Sequence, residues 1–374
     1  MKKIQMVDVV SQYDKHSHEI SQRIFKVLKS GCYIKGKEVD NFEKKLSKYM
    51  GSKHTISCAN GTDALQIALM SLNLSVGDEV IVPGFTFVST VEAVCLLGLK
   101  PVFLDIHLDT FLLNENLIEQ SISEKTRAII PVHLFGQCCN MKIIKSIADK
   151  YNLFIIEDAA QSIGSSINEP NSMHKRFSGT IGDIGTTSFY PSKNLGCFGD
   201  GGAIFTDNDV LSEKMRLIAN HGQKEKYTHE IVGLNSRLDA LQACILSYKL
   251  SFLDECNEKR NMIAQYYNSA LDSVSWLRKP VNSIHSNHIY HQYSILLDST
   301  IIRDDFQKYL LENGIPSMIY YPIPLHKQKA YTKYSNTVLP VSEMVSHNII
   351  SLPIHPEMEM DQMEFICDKI QKYS

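Results

Sequence analysis

The stretch HTISCANGTDALQIAL, residues 54–69, decides how the rest of the chain is read. His54–Cys58 has the length and apolar content of a short buried strand. Asn60–Gly61–Thr62 is a turn, and a helical pattern starts at about Asp63 and runs to Leu72. The same unit recurs downstream. Further strand candidates are Glu79–Pro83, Pro101–Asp105, Ala128–Val132, Phe154–Asp158, Thr186–Tyr190 and Gly202–Thr206. Helix candidates lie between them at Ser89–Leu97, Asn114–Ser121 and Met141–Tyr151. Apolar strands alternating with helices predict an α/β fold with a mostly parallel central sheet covered by helices. In such sheets ligands sit beyond the carboxyl ends of the strands.

Upstream, Ile20–Ser30 and Val39–Tyr49 show helical spacing on either side of a Gly31–Gly36 turn, and His16 and His18 read as a solvated helix face. Downstream, Leu238–Leu271 reads as one or two long helices leading into a second unit. That division gives a large α/β domain over 1–250 and a smaller C-terminal α+β domain over 251–374. The smaller unit holds a strand at His288–Leu297, a helix at Arg303–Asn313 and a Pro-rich return at Tyr320–Leu325. Residues 167–180 break the rhythm as an exposed loop, with His174, Lys175 and Arg176 expected in solvent.

Lys+Arg 38 against Asp+Glu 41 leaves no basic surplus for nucleic acid or an anionic membrane. No apolar run approaches the roughly 20 residues of a membrane span. The nine cysteines include no CxxC spacing, and the Cys138–Cys139 pair has no second pair to complete a zinc site. They read as reduced thiols of a cytoplasmic protein.

Four groups carry chemistry. Lys193 lies on a turn-rich segment, FYPSKNLGCFGDGGA, between two apolar runs, where desolvation makes an amine a better nucleophile for a carbonyl carbon. The turn at Gly61 and Thr62 opens a helix whose N-terminus favours an anion, and Ser188 adds a hydroxyl. FIIEDAAQSIG, 154–164, brings Glu157 and Asp158 to a strand end, where a carboxylate needs a partner. A pyridine nitrogen suits it, with Gln161 reaching the ring's phenolic oxygen; a metal ligand or a helix cap suits Glu157–Asp158 as well. Phe87, in VPGFTFVST, is placed to cover one ring face, or else packs in the core. Together the groups fit pyridoxal 5′-phosphate.

The ordered motifs GTDAL, PGFTF, PVHLFGQ, EDAAQS, SFYPSKNLGCFGDGGA, GLNSRLDALQA and YYPIPLHKQ resemble the DegT/DnrJ/EryC1/StrS family over nearly the whole chain. That family comprises pyridoxal-phosphate-dependent aminotransferases of nucleotide-linked keto sugars, some of which serve O-antigen and other surface polysaccharide synthesis. The resemblance implies a fold type I enzyme working as a homodimer. Lys193 would carry the cofactor and move protons, Asp158 would hold the pyridine nitrogen, Gln161 the ring hydroxyl, and Phe87 would stack. Gly61, Thr62 and Ser188 would hold the phosphate, with Asn235 reaching the partner subunit's phosphate. Arg237, Tyr320, Tyr321 and His326 would contact the sugar. L-glutamate would donate the nitrogen, and no metal is implied. A 3-keto acceptor is favoured over a 4-keto one. Members often carry histidine where Tyr320 stands, which weakens the case for a uronate. Relatives that dehydrate sugars replace the lysine with histidine, so Lys193 speaks against that activity. A cofactor-binding sensor without turnover is the other class, and it tends to lose a site residue.

Overall fold

Seven strands form the central sheet of the computed structural model, which describes residues 2–167, 175–334 and 337–373. They are β1 (His54–Cys58), β2 (Glu79–Pro83), β3 (Lys100–Leu104), β4 (Thr126–Ile129), β5 (Phe154–Asp158), β6 (Ile184–Ser188) and β7 (Gly202–Thr206), in the order β1-β7-β6-β5-β4-β2-β3. From β3 to β6 all neighbours are parallel. β7 runs antiparallel to both β6 and β1. Parallel neighbours need a crossover element, whereas the segment from β6 to β7 holds no helix and turns straight back. That returning segment carries Lys193.

The helices follow from stripe and cap. α1 (Val9–Ser30) is capped by Asp8, whose carboxylate accepts from the Ser11 N–H at 2.9 Å. α2 (Lys37–Met50) buries Val39, Phe42, Leu46 and Met50, an i, i+3, i+4 stripe. α3 (Gly61–Ser71), α4 (Ser89–Leu96) and α6 (Asp209–Ile218) cover one sheet face, and α5 (Met141–Tyr151) the other. α7 (Ala240–Lys249) packs on α1 and α2.

A second core gathers around β8 (Leu277–Arg278), β9 (Tyr293–Leu297) and β10 (Ile349–Leu352), all antiparallel. α8 (Leu253–Ala270), α9 (Arg303–Glu312) and α11 (Met360–Gln371) cover it, and Ile4 from the N-terminus joins it. The junction with the first core is specific. Buried Asp105, one residue past β3, accepts from the Val341 N–H at 2.9 Å, the Ser342 N–H at 2.8 Å and the Ser342 hydroxyl at 2.6 Å. It thereby fixes the start of α10 (Pro340–Asn348) against the large sheet.

Four expectations change. Residues 114–121 form two 3-10 turns, not an α-helix, because the Asn114 side chain accepts from the Asn116 N–H at 3.1 Å and competes with the helical ladder. α1 begins well before Ile20, since Val9, Val10 and Tyr13 are exposed and hide its amphipathic pattern. Leu238–Leu271 takes the two-helix form of the expected alternatives, parted by a 3-10 turn at Leu250–Phe252. His16 is half-buried, stacked on Phe252 at 4.4 Å and bonded to Tyr248 at 3.0 Å, while His18 stays exposed. Of the 167–180 loop, His174 lies outside the described residues. Lys175 is exposed, but Arg176 is anchored on the carbonyls of Thr180 and Ile181.

Candidate active site

A cavity of about 740 Å³ opens at the carboxyl ends of the parallel strands. Its walls include Gly61, Thr62, Phe87, Asp158, Gln161, Ser188, Lys193, Tyr320 and Tyr321, contributed by segments far apart in sequence.

The lysine segment is pinned on both sides. The Lys193 N–H donates to the Tyr190 carbonyl at 2.8 Å, closing the turn. Asn194 donates to Asn257 at 2.7 Å, and the buried Lys249 ammonium donates to the Gly196 carbonyl at 2.6 Å. Gly196 is required by proximity, because a Cβ there would lie 2.4 Å from the Pro191 carbonyl oxygen. Burial pushes the Lys193 amine down from its ordinary 10.5 to about 8, against the opposing pull of the Asp158 carboxylate. The sign is that of a base freed by desolvation: the amine sheds its proton as pH rises through about 8, well before an exposed lysine does. The acetylation rate of Lys193 in cofactor-free protein, followed by peptide mass spectrometry, is therefore expected to rise through about 8 and level off there. A rise only near 10.5 would contradict the burial.

β5 alternates its side chains between the two sheet faces, and this separates its two carboxylates. Asp158 turns to the cavity, accepting from the Thr90 hydroxyl at 2.7 Å and the Ala160 N–H at 3.2 Å. Glu157 turns away and is saturated. It accepts from His133 at 2.8 Å and from the N–H groups of Gly179, Ile181 and Gly182 at 2.6–2.8 Å. Burial would raise its pKa; the His133 bond and these amides outweigh that and hold it low. His133, Cys138 and Glu157 are near enough to hold a metal, but His133 Nδ1 accepts from the Cys139 N–H at 3.2 Å. Nε2 therefore carries the proton that it gives to Glu157, and the cluster is a closed hydrogen-bond network. The metal and cap readings of Glu157 give way to this one.

Gln161 is oriented by its own bonds. Its carbonyl accepts from the Phe135 N–H at 2.8 Å, so its NH₂ points to the Tyr321 hydroxyl at 3.0 Å. Burial pushes the Tyr321 phenol up, keeping it neutral. Phe87 is 53% exposed, so it is no core residue; its ring lies 6.0 Å from that of Tyr321 over the cavity mouth.

At the other end, α3 begins at Gly61. Asn60 caps it conventionally, accepting from the Asp63 N–H at 2.8 Å, and the same turn walls the cavity. The Thr62 and Ser89 hydroxyls meet at 2.7 Å. A Cβ on Gly61 would come 2.8 Å from Ser188 Cβ, so the helix end and β6 touch only because this residue is glycine. Amides, hydroxyls and a helix N-terminus converge here as a seat for an anion.

Three expected residues lie outside the cavity. His326 is buried in a 3-10 turn, with its Nε2 bonded to Glu343 at 2.9 Å, and it does not line this chain's cavity. Asn235 is exposed, bridged to Asn220, and Arg237 is half-buried nearby. Conversely, Thr90, Ser89, His291 and Gln292 belong to the site without having been singled out. Thr90 sits in the first turn of α4, its hydroxyl 3.4 Å from that of Thr86 in the preceding PGFTF segment.

The chain matches the DegT/DnrJ/EryC1/StrS aminotransferase family over residues 14–371. It is 43% identical to the UDP-2-acetamido-2-deoxy-3-oxo-D-glucuronate aminotransferase of Pseudomonas aeruginosa, over 97% of this chain and 98% of that one. It is 41% identical to the dTDP-3-amino-3,6-dideoxy-alpha-D-galactopyranose transaminase of Aneurinibacillus thermoaerophilus, over 96% of each. The crystal structure of Streptomyces venezuelae DesV superposes with a TM-score of 0.94 at 35% identity, covering 100% of this chain and 98% of DesV. The family's cofactor is pyridoxal 5′-phosphate. The residues present fit it: a desolvated amine, a carboxylate across the cavity from it, and a glycine-lined anion seat beside a helix end. With fold, site and sequence in agreement, the chain belongs to the DegT/DnrJ/EryC1/StrS family of pyridoxal-phosphate-dependent aminotransferases.

Proposed function

We propose that this cavity transfers an amino group from L-glutamate to C3 of a nucleotide-linked keto sugar. The observation that carries the reading is the pairing of Lys193 and Asp158 across one cavity that also holds the anion seat. Bound pyridoxal phosphate supplies an electron sink that takes up nitrogen from one substrate and yields it to the next. The chain's part is to place and protonate. Asp158 would hold a proton on the ring nitrogen, the Gln161 NH₂ would meet the ring oxygen, Phe87 would cover a face, and Gly61, Thr62 and Ser188 would hold the phosphate. Lys193, whose amine burial brings down to about 8 and so makes easier to deprotonate than an exposed lysine, would move the proton between substrate carbon and cofactor. The 3-position is favoured by the two relatives, both named for 3-oxo or 3-amino sugars. The Tyr320 hydroxyl beside Gln292 favours a neutral hexose over a uronate. The sensor reading is disfavoured because no residue of the lysine, carboxylate and anion-seat set is missing.

The working form is a homodimer. Val10 and Phe25 on α1 and Tyr33 just beyond it leave apolar side chains in solvent, a surface suited to a second copy. Asn235 and Arg237, outside their own chain's cavity, would then serve the partner's. On this reading Asn235→Ala loses a phosphate contact and binds cofactor about tenfold more weakly. Equilibrium dialysis checks this, and unchanged affinity would count against a shared site. Residues 1–250 and 251–374 act as cofactor and capping units. The protein would work in the cytoplasm, where nucleotide sugars for surface polysaccharides are made; no helix among the described residues is long and apolar enough to cross a membrane. Reverse transamination with a panel of amino sugar nucleotides and 2-oxoglutarate tests the reading. Turnover of 3-amino sugars supports it, and turnover of 4-amino sugars alone would overturn the ring position.

A further inference from the structure

Behind Lys193 runs a buried chain of hydrogen bonds whose direction is fixed from one end. Asn257, on α8, donates its amide N–H to the Ile163 carbonyl at 3.3 Å, which turns its oxygen toward Asn194. Asn194 donates to that oxygen at 2.7 Å and to the Ile289 carbonyl at 3.3 Å, which turns its own oxygen toward His291. His291 Nδ1 lies 3.1 Å from that oxygen, so Nδ1 carries the hydrogen and Nε2 is left as a bare acceptor. His291 is 4% exposed, and it walls the same cavity as Lys193. Two side chains from two segments, Asn257 and Asn194, are thus committed to holding one imidazole in one tautomer beside the lysine.

The charged and titratable groups around this ring come from several segments. Lys193 faces it from the lysine segment and Arg260 from α8; Asp63, Asp158, Tyr190, Asp200, Tyr320 and Tyr321 share the cavity walls. Burial first, then the charges of Lys193 and Arg260, hold His291 far below its ordinary pKa, so the ring is neutral at working pH. For the free Lys193 amine, the one charge that pulls on it is Asp158. A settled Lys193–Asp158 ion pair would fix the amine as ammonium and occupy the carboxylate needed by the cofactor.

We infer that His291 is a positioning residue for Lys193: its Nε2 lone pair accepts a hydrogen bond from the free amine and keeps it from pairing with Asp158. The inference rests on Lys193 being the cofactor-bearing lysine. It assigns a task to a histidine that touches the reaction only through another group, and it ties the lysine to α8 and β9 of the second core. Protonation of the ring would abolish the acceptor, so burial of His291 protects the arrangement.

The variant that separates this role from scaffolding is His291→Asn. Its amide can still donate to Asn194, but nothing replaces Nε2. In the reconstituted enzyme kcat is expected to fall about tenfold, with KM for both substrates within about twofold of wild type. In cofactor-free protein the Lys193 acetylation midpoint is expected to move up from about 8, as the amine pairs with Asp158. Either change without the other overturns the inference, as does wild-type behaviour in both. If the variant does not fold, the wild type still decides: ¹⁵N shifts of His291 must report hydrogen on Nδ1 and a lone pair on Nε2. An Nε2–H tautomer or an imidazolium at neutral pH overturns it. Failure of the wild type to show a low midpoint at Lys193, or to bind cofactor there, would instead refute the assignment of the lysine itself.

Discussion

Lys193→Ala is expected to fold as the wild type does and to lose transamination by at least about 10²–10⁴-fold, the range set by removing a general acid–base group alone. The loss combines two functions, since the same amine anchors the cofactor and moves the proton. The fold should survive because the side chain stands in the cavity and belongs to none of the apolar cores. The segment carrying it is held by the Asn194–Asn257 and Lys249–Gly196 bonds, which the substitution leaves in place. Thermal unfolding and single-turnover kinetics check the two halves. A variant with unchanged melting and abolished turnover is the expected outcome. Retained turnover would show that another base does the work.

Asp158→Ala is expected to cost about 10²–10³-fold in kcat, comparable to removing one preorganised charge partner from a transition state. The physical loss is threefold. The ring nitrogen has no anion to keep it protonated, and the Thr90 hydroxyl and Ala160 N–H lose their acceptor. The variant also carries an independent signature. Asp158 is what raises the Lys193 pKa against burial, so removing it should lower the Lys193 acetylation midpoint below about 8. A fall in kcat with an unmoved midpoint would mean that the carboxylate and the amine do not face the same space.

What the sequence made legible were features with local causes. The strand–turn–helix at 54–69 was readable because apolar run, turn residues and helical spacing sit side by side, and β1, β2, β5 and β7 begin and end at the expected residues. Asp158 stood out as an acid ending an apolar strand, and Lys193 as a cation in a glycine-rich turn. The residues that escaped depend on what folds against them. Glu157 and Asp158 are neighbours with the same chemistry, and only the sheet's two faces tell the ring partner from the buried structural anion. His326 lies in a motif rich in site residues, yet it is buried outside this chain's cavity with its Nε2 bonded to Glu343, seventeen positions on. His291 sits in an apolar strand candidate and gains meaning only from Asn194 and Asn257, both distant in sequence. The 3-10 turns at 115–121 failed as a helix because one asparagine offered the backbone a competing partner. α10 and β10 went unread, since their pairing is with Asp105 and β9 and not with anything nearby in the chain.

The most direct test of the account is to reconstitute the protein with pyridoxal 5′-phosphate, reduce it with borohydride and map the modified peptide. Two lysines have amines that burial brings to about 8, Lys193 in the cavity and Lys249 under its loop, so desolvation alone does not choose between them. Only Lys193 shares a cavity with Asp158 and the anion seat. The account predicts the phosphopyridoxyl group on Lys193 alone. Its appearance on Lys249, or on no lysine at all, would contradict it.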